Sequence, residues 1–228
     1  MMKKLLIIGL AALPGLTVAQ VNYFEDFQGS VGSEWSSSIT TDVDGSGRFG
    51  LGPFENTTET LTLSGFTVGQ VVTLSFDLYL LNTWDGSHPE FGGPDTITVT
   101  ADGNTLLNAS FSTHPFEAWT QTYSAATPLG GPEVPSYTDA DEIETLLNYN
   151  AIGSAVYNFD GTGNNAAFTF VASATEITFS FTGSGLQTSL DEPWAIDNVR
   201  VTNPVPEPAT MAALGFGALA LMRRRRRS

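Results

Sequence analysis

The sequence has no cysteine, so disulfide bonds, thiolate nucleophiles and zinc–thiolate centres are excluded. Positive charge is scarce: nine Lys and Arg stand against 24 Asp and Glu in 228 residues. Seven of the nine lie at the ends, as Lys3, Lys4 and Arg223 to Arg227, so residues 20–204 contain only Arg48 and Arg200. The same stretch holds every acid except Glu207, 23 carboxylates in all, and a formal charge of −21. Such a surface has nothing to neutralise phosphates with, which excludes a nucleic-acid partner. It favours solubility and attracts divalent cations. Histidine is almost missing; His88 and His114 each precede a proline, and neither has an indicated triad partner. Neither apolar run, Leu5 to Leu13 or Ala209 to Met222, reaches the ~20 residues of a bilayer-spanning helix.

The two ends carry addresses. Met1 to Ala19 has a basic start at Lys3 and Lys4, an apolar stretch and small residues in Thr17-Val18-Ala19. This predicts a secretory signal peptide over residues 1–19, cut by signal peptidase between Ala19 and Gln20. An uncleaved anchor is the weaker reading, because the apolar run ends at Pro14-Gly15. Val205 to Ser228 opens with Pro206-Glu207-Pro208, continues with 14 apolar or small residues, and closes on Arg223, Arg224, Arg225, Arg226 and Arg227. As a helix the apolar part is about 21 Å long, short of a hydrocarbon core of ~30 Å. The arginines resist translocation and stay cytoplasmic. A transient hold followed by cleavage fits this length; a short tail anchor extended by snorkelling arginines is the other reading.

In the order of its three parts this tail resembles the PEP-CTERM sorting signal of Gram-negative-type bacteria. The resemblance covers residues 205–228. It implies an exported protein of the cell surface or extracellular matrix, membrane-bound only through the tail, and processed near the tripeptide by an exosortase-like enzyme.

Between the ends, residues 20–204 read as one all-β domain. Val71 to Leu81 alternates cleanly, with Val72, Leu74, Phe76, Leu78 and Leu80 on one face. Thr96 to Thr100, Ala167 to Val171 and Thr175 to Thr182 repeat the pattern. Weaker strands are predicted at Val21–Gln28, Phe49–Phe54, Glu59–Leu63, Leu106–Phe111, Trp119–Tyr123 and Ala195–Thr202. Asp102-Gly103 should close a hairpin, since Asp-Gly accepts positive φ. One short helix is predicted in the long excursion Leu129–Asn150, with Thr138 as its N-cap and acids in its first turn. The count of strands predicts a two-sheet antiparallel β-sandwich of jelly-roll type, with a Greek-key sandwich as alternative. No internal repeat is visible.

Candidate sites come from strands and loops. Alternation on the first and last strands points Glu25 and Asp197 the same way as their apolar neighbours, and an inward carboxylate needs a partner. Phe24-Glu25 and Ile196-Asp197-Asn198-Val199 are similar to the terminal strands of jelly-roll carbohydrate-binding modules. That resemblance implies a structural Ca²⁺ held by Glu25 and Asp197, an expected metal site. Longer stretches, among them Asp191 to Val199, resemble secreted β-sandwich domains of bacterial surface proteins, which implies no activity. Asp42 to Gly47 starts like a calcium loop but has Pro53 where a Glu is needed, so it reads as a turn. Trp84, Trp119 and Trp194 are the candidates to stack on sugar rings, with Asp85, Asp191 and Glu192 beside them to accept hydroxyls. Asp77/Asp85 and Asp191/Glu192 are nominal carboxylate pairs for glycoside hydrolysis, a signal that an acidic chain repeats by chance. The expectation is a non-enzymatic exported protein with no catalytic residues; the alternatives are a module binding extracellular polysaccharide and, behind it, a polysaccharide-active enzyme.

Overall fold

The computed structural model describes residues 22–88, 93–114, 119–149, 153–188 and 190–203. The expected signal peptide, its cleavage site and the sorting tail lie outside the described residues.

In chain order the strands are β1 (Asn22–Glu25), β2 (Thr40–Asp42), β3 (Phe49–Phe54), β4 (Thr58–Ser64), β5 (Val71–Leu80), β6 (Thr96–Ala101), β7 (Asn104–Ser110), β8 (Thr120–Gln121), β9 (Val134–Pro135), β10 (Glu142–Ile143), β11 (Ala155–Phe159), β12 (Phe168–Val171), β13 (Glu176–Ser184) and β14 (Trp194–Thr202). Every pairing is antiparallel. The larger sheet is built on β5 and β14, which pair from Trp194↔Leu80 to Thr202↔Thr73. Each is flanked by two short strands laid end to end: β11 and β12 on β5, β3 and β1 on β14. The outermost strands are β10 and β2. The facing sheet runs β4-β13-β6-β7, and β8 pairs with β9 separately. The chain passes repeatedly from one sheet to the other, and its first and last strands are neighbours. The fold is an all-β sandwich.

Alternation sets which faces meet. Val72, Leu74, Phe76, Leu78 and Leu80 of β5 and Ile177, Phe179 and Phe181 of β13 are buried between the sheets. Phe76 is the hub of an aromatic cluster, with ring centroids 5.0 Å from Phe159, 6.0 Å from Phe168 and 5.2 Å from Phe181. The expected Asp102-Gly103 hairpin joins β6 to β7, with φ of 51° and 79°. The Asp42 segment forms the β2–β3 turn, its carboxylate accepting the N–H of Gly45 at 2.9 Å.

Two features depart from the sequence pattern. β11 has no alternation, because both faces are covered: Ala155, Tyr157 and Phe159 join the core, while Val156 joins an outer cluster with Val43, Tyr79, Leu81, Leu146 and Ala195. The helix expected after Thr138 does not form, and no helix occurs among the described residues. Tyr137, Asp139 and Glu144 have positive φ, and Glu142–Ile143 pairs with β11 instead. The acids read as helix-starting bind other segments: Asp139 accepts the Ala125 amide, and Asp141 accepts the amides of Asn158 and Asn164 and the Asn165 side chain.

Gly183 on β13 lies under Trp194. A Cβ there would meet the indole nitrogen, and the Glu55 carbonyl at 2.7 Å. That indole N–H donates to the same carbonyl at 2.8 Å. Gly183→Ala should therefore destabilise the fold by about 1–3 kcal/mol through overpacking, read as a lower midpoint in chemical denaturation; an unchanged midpoint would mean that the indole yields freely.

Candidate functional site

Two of the three tryptophans expected to stack on sugars are not available. Trp84 and Trp194 are both fully buried. Trp84 donates its indole N–H to the Pro193 carbonyl at 3.2 Å, and Trp194 donates to Glu55. Both pack in the core, because each side chain is apolar except for one N–H that a backbone carbonyl satisfies. Trp119 is half-buried against His114 and His88, with ring centroids 4.3 and 4.7 Å away. Asp191 accepts the Thr83 hydroxyl at 3.2 Å.

Glu25 and Asp197 are also not brought together. β1 pairs with β14 as expected of the terminal strands, and Glu25 lies opposite Val199, a core residue. Asp197 is on the other face of the sheet. The reason is a β-bulge: β14 pairs Asp197 with Asp77 and Arg200 with Ser75, so Asn198 and Val199 together face one residue of β5. Asn198 takes φ 50°, a conformation its short polar side chain tolerates. The extra residue shifts the alternation, so Ile196 and Val199 both point inward while Asp197 points outward with Ala195. Glu25 accepts the Phe27 amide at 3.1 Å.

The bulge builds a polar outer face. Asp197 accepts the Tyr79 hydroxyl at 2.9 Å and the Asn198 amide at 2.7 Å. Tyr79 in turn accepts from Arg48 Nε at 3.0 Å, and Arg48 makes two bonds of 3.0 Å to Glu142. This pair holds the Glu142 carboxyl below its ordinary range. Burial pushes Asp197 up to about 7, against the opposing effect of its hydrogen bonds. Next to it, Phe24, Ser75, Asp77, Asn158, Asp160, Asn198 and Arg200 line a concavity of about 270 Å³. These residues come from β1, β14, β5, β11 and the turn after β11, side by side across the sheet. The Asn198 amide donates to Asp77 at 2.7 Å, Arg200 lies 4.5 Å over the exposed Phe24 ring, and Asn158 Oδ1 has no donor.

A second site lies at the pole where β5 ends and β6 and β14 begin. Asp85, Asp95 and Glu192 converge there, with one oxygen of each within 4.8 Å of the others. Asp95 and Glu192 are wholly buried and Asp85 nearly so. Asp95 Oδ2 accepts the amides of Asp85 and of Gly86, the latter at 3.1 Å. Glu192 accepts the Gln187 amide at 2.6 Å, and the Gln187 side chain donates to Asp85 at 2.9 Å. Burial raises all three carboxyls above their ordinary range; repulsion from Asp191 adds to it at Asp85, from Asp85 at Asp95 and from Asp95 at Glu192, against the opposing effect of their hydrogen bonds. The sequence marked Asp85, and placed Glu192 beside it in the sugar site, but nothing local linked Asp95 to either.

Among known proteins, residues 204–227 match the PEP-CTERM protein-sorting motif. No curated protein matches the chain. Among solved structures, similar chains include dimeric latent PorU from Porphyromonas gingivalis, with TM-score 0.46 and 10% identity over 86% of this chain and 14% of that one. Others are a family 35 carbohydrate-binding module from Clostridium thermocellum, with TM-score 0.33 and 8% identity over 79% and 97%, and a Caldicellulosiruptor saccharolyticus CBM27-1 in complex with mannohexaose, with TM-score 0.37 and 12% identity over 79% and 96%.

The raised Asp197 carboxyl fixes a sign. The folded state holds this proton more tightly than the unfolded chain, so its contribution is full below about pH 4 and is lost as pH rises through about 7. Asp197→Asn should therefore flatten the fall in stability between pH 5 and 8 and exceed wild type at pH 8, measured by denaturation in EDTA. Parallel profiles would rule out Asp197 as the titrating group.

Proposed function

We propose that this is a non-enzymatic protein of the cell surface or extracellular matrix. The observation that carries the reading is the sorting motif at residues 204–227, which marks an exported protein sorted through its C-terminus and implies processing by an exosortase-like enzyme. The acidic body supports it: a β-sandwich with two arginines stays soluble and repels anionic surfaces. The carboxylates are also committed to structure. Asp77 is bonded to Asn198, Asp160 to Thr162, and the polar cluster of Asp85, Asp95 and Glu192 is sealed from any polymer. Among the described residues no helix is long and apolar enough to cross a membrane.

The second reading, recognition of extracellular polysaccharide, has one specific support. The outer-face concavity combines an exposed aromatic ring, Phe24, with carboxylate, amide and guanidinium groups at sugar-hydroxyl reach of one another. It replaces Trp84 and Trp194 as the place where a sugar would bind.

In the native host, tagged full-length protein should be processed and reach the surface or matrix fraction. A chain lacking residues 205–228 should remain soluble in the cell envelope or medium, and an identical distribution of both would overturn the reading. For the second reading, affinity electrophoresis against acidic and neutral polysaccharides should show retardation that Phe24→Ala and Asn198→Ala each abolish. Retardation that survives both would put sugar binding elsewhere.

A further inference from the structure

The three carboxylates at the pole pose a question that the sorting reading does not answer. They are buried and close together, and among the described residues no lysine or arginine pairs with them; His88 is the one basic side chain that acts on the group, through Asp85. Arg48 is engaged by Glu142 and Tyr79 and Arg200 sits over Phe24, while Lys3, Lys4 and Arg223 to Arg227 lie outside the described residues. Buried charge of one sign needs a counter-charge or protons.

Other acid clusters of the protein differ in one respect. Asp42 and Asp44 in the β2–β3 turn are capped by turn amides, and Asp139 and Asp141 are held by amides from distant segments. At the pole, one oxygen of Asp95 is fastened by two amides, but Oδ1 is buried without any hydrogen-bond donor. An acceptor this deeply buried and left without a donor is destabilising, and more so when charged. The amides of Asp85, Gly86 and Gln187 thus fix the carboxylates, while Asp95 keeps an acceptor uncommitted.

From this we propose that Asp85, Asp95 and Glu192 bind a calcium ion that fastens the end of β5 and the starts of β6 and β14 to one another. The donors are oxygen only, which suits a hard cation and not zinc, with its preference for nitrogen and sulfur. Calcium takes six to eight oxygens in adaptable geometry, whereas magnesium keeps several waters. Side chains that are 0% exposed, as Asp95 and Glu192 are, leave little space for a hydration shell and favour calcium. The site differs from the pair Glu25 and Asp197, which lie on opposite faces of the larger sheet.

The test uses the full-length chain, stripped with EDTA and desalted, then titrated with CaCl₂ or MgCl₂. One calcium per chain should bind by elemental analysis, with a saturable rise in thermal midpoint and a much weaker response to magnesium. Asp95→Asn and Glu192→Gln should each weaken calcium binding at least about tenfold, while Asp197→Asn, another buried acid, binds as wild type. Neither variant should be less stable than wild type in EDTA, since Asn and Gln keep an oxygen for the amides that Asp95 and Glu192 accept. Should a variant fail to fold, hydrogen exchange on wild type decides: calcium should slow the amides of Asp85, Gly86 and Gln187. Absence of stoichiometric calcium, wild-type affinity in both variants, or exchange at those amides indifferent to saturating calcium would overturn the site and leave a proton-sharing carboxyl cluster. Equal binding of magnesium would overturn the assignment to calcium.

Discussion

A body with 23 carboxylates and two arginines cannot satisfy its buried acids with ion pairs. That constraint shapes much of the structure. The one ion pair among the described residues, Arg48 with Glu142, ties β10 to the turn before β3 and supplies a charge near Tyr79 and Asp197. Elsewhere several carboxylates rely on neutral donors. Asp141 gathers amides from Asn158 and Asn164 and the Asn165 side chain, and thereby pins the excursion between β9 and β11 to the larger sheet. Hydrogen bonds to charged acceptors are stronger than neutral ones, so acids serve here as organising acceptors of loops.

The β5–β14 ladder determines where these acids can act. Its middle carries Asp77 facing Asp197, and its two ends deliver loops to opposite poles of the sandwich. At the pole beyond Leu80, three strands begin or end, and side chains far apart in sequence meet. The outer face owes its concavity to the flanking strands being half-length, so that β1, β14, β5 and β11 each contribute one or two residues to a shared surface.

The core elements were legible in the sequence because polar residues hold the alternate positions, Thr73, Ser75 and Asp77 on β5 and Thr178, Ser180 and Thr182 on β13. β5 and β13 alternate, and Asp-Gly marks the β6–β7 hairpin. β11 was not legible, since apolar contacts on both faces erase the period. The helix expected after Thr138 failed for a related reason: Asp and Thr that cap helices bind distant amides equally well, and local sequence cannot say which donor is nearer. The tryptophans misled because Trp84 and Trp194 stand beside turn residues, yet each indole N–H meets a carbonyl brought in by the fold. The acidic cluster was half visible. Asp85 and Glu192 stood out beside tryptophans, but Asp95 reaches them only through the return of the chain into β6.

The bulge on β14 was written in the sequence more plainly than a simple parity count allows. Trp194 and Ile196 are apolar on one parity, Val199 and Val201 on the other, and the change falls at Asn198, a residue disfavoured within strands. A regular strand cannot bury both pairs against one core, so an extra residue between Ile196 and Val199 follows from the apolar pattern alone. Asp197 must then leave the core face, and Asn198 is free to meet Asp77 on the outside. The polar face at mid-sheet and the carboxylates at the pole are thus the two places where this chain departs from the rules that built its core, and departures of that kind are where a fold carries what packing alone does not require.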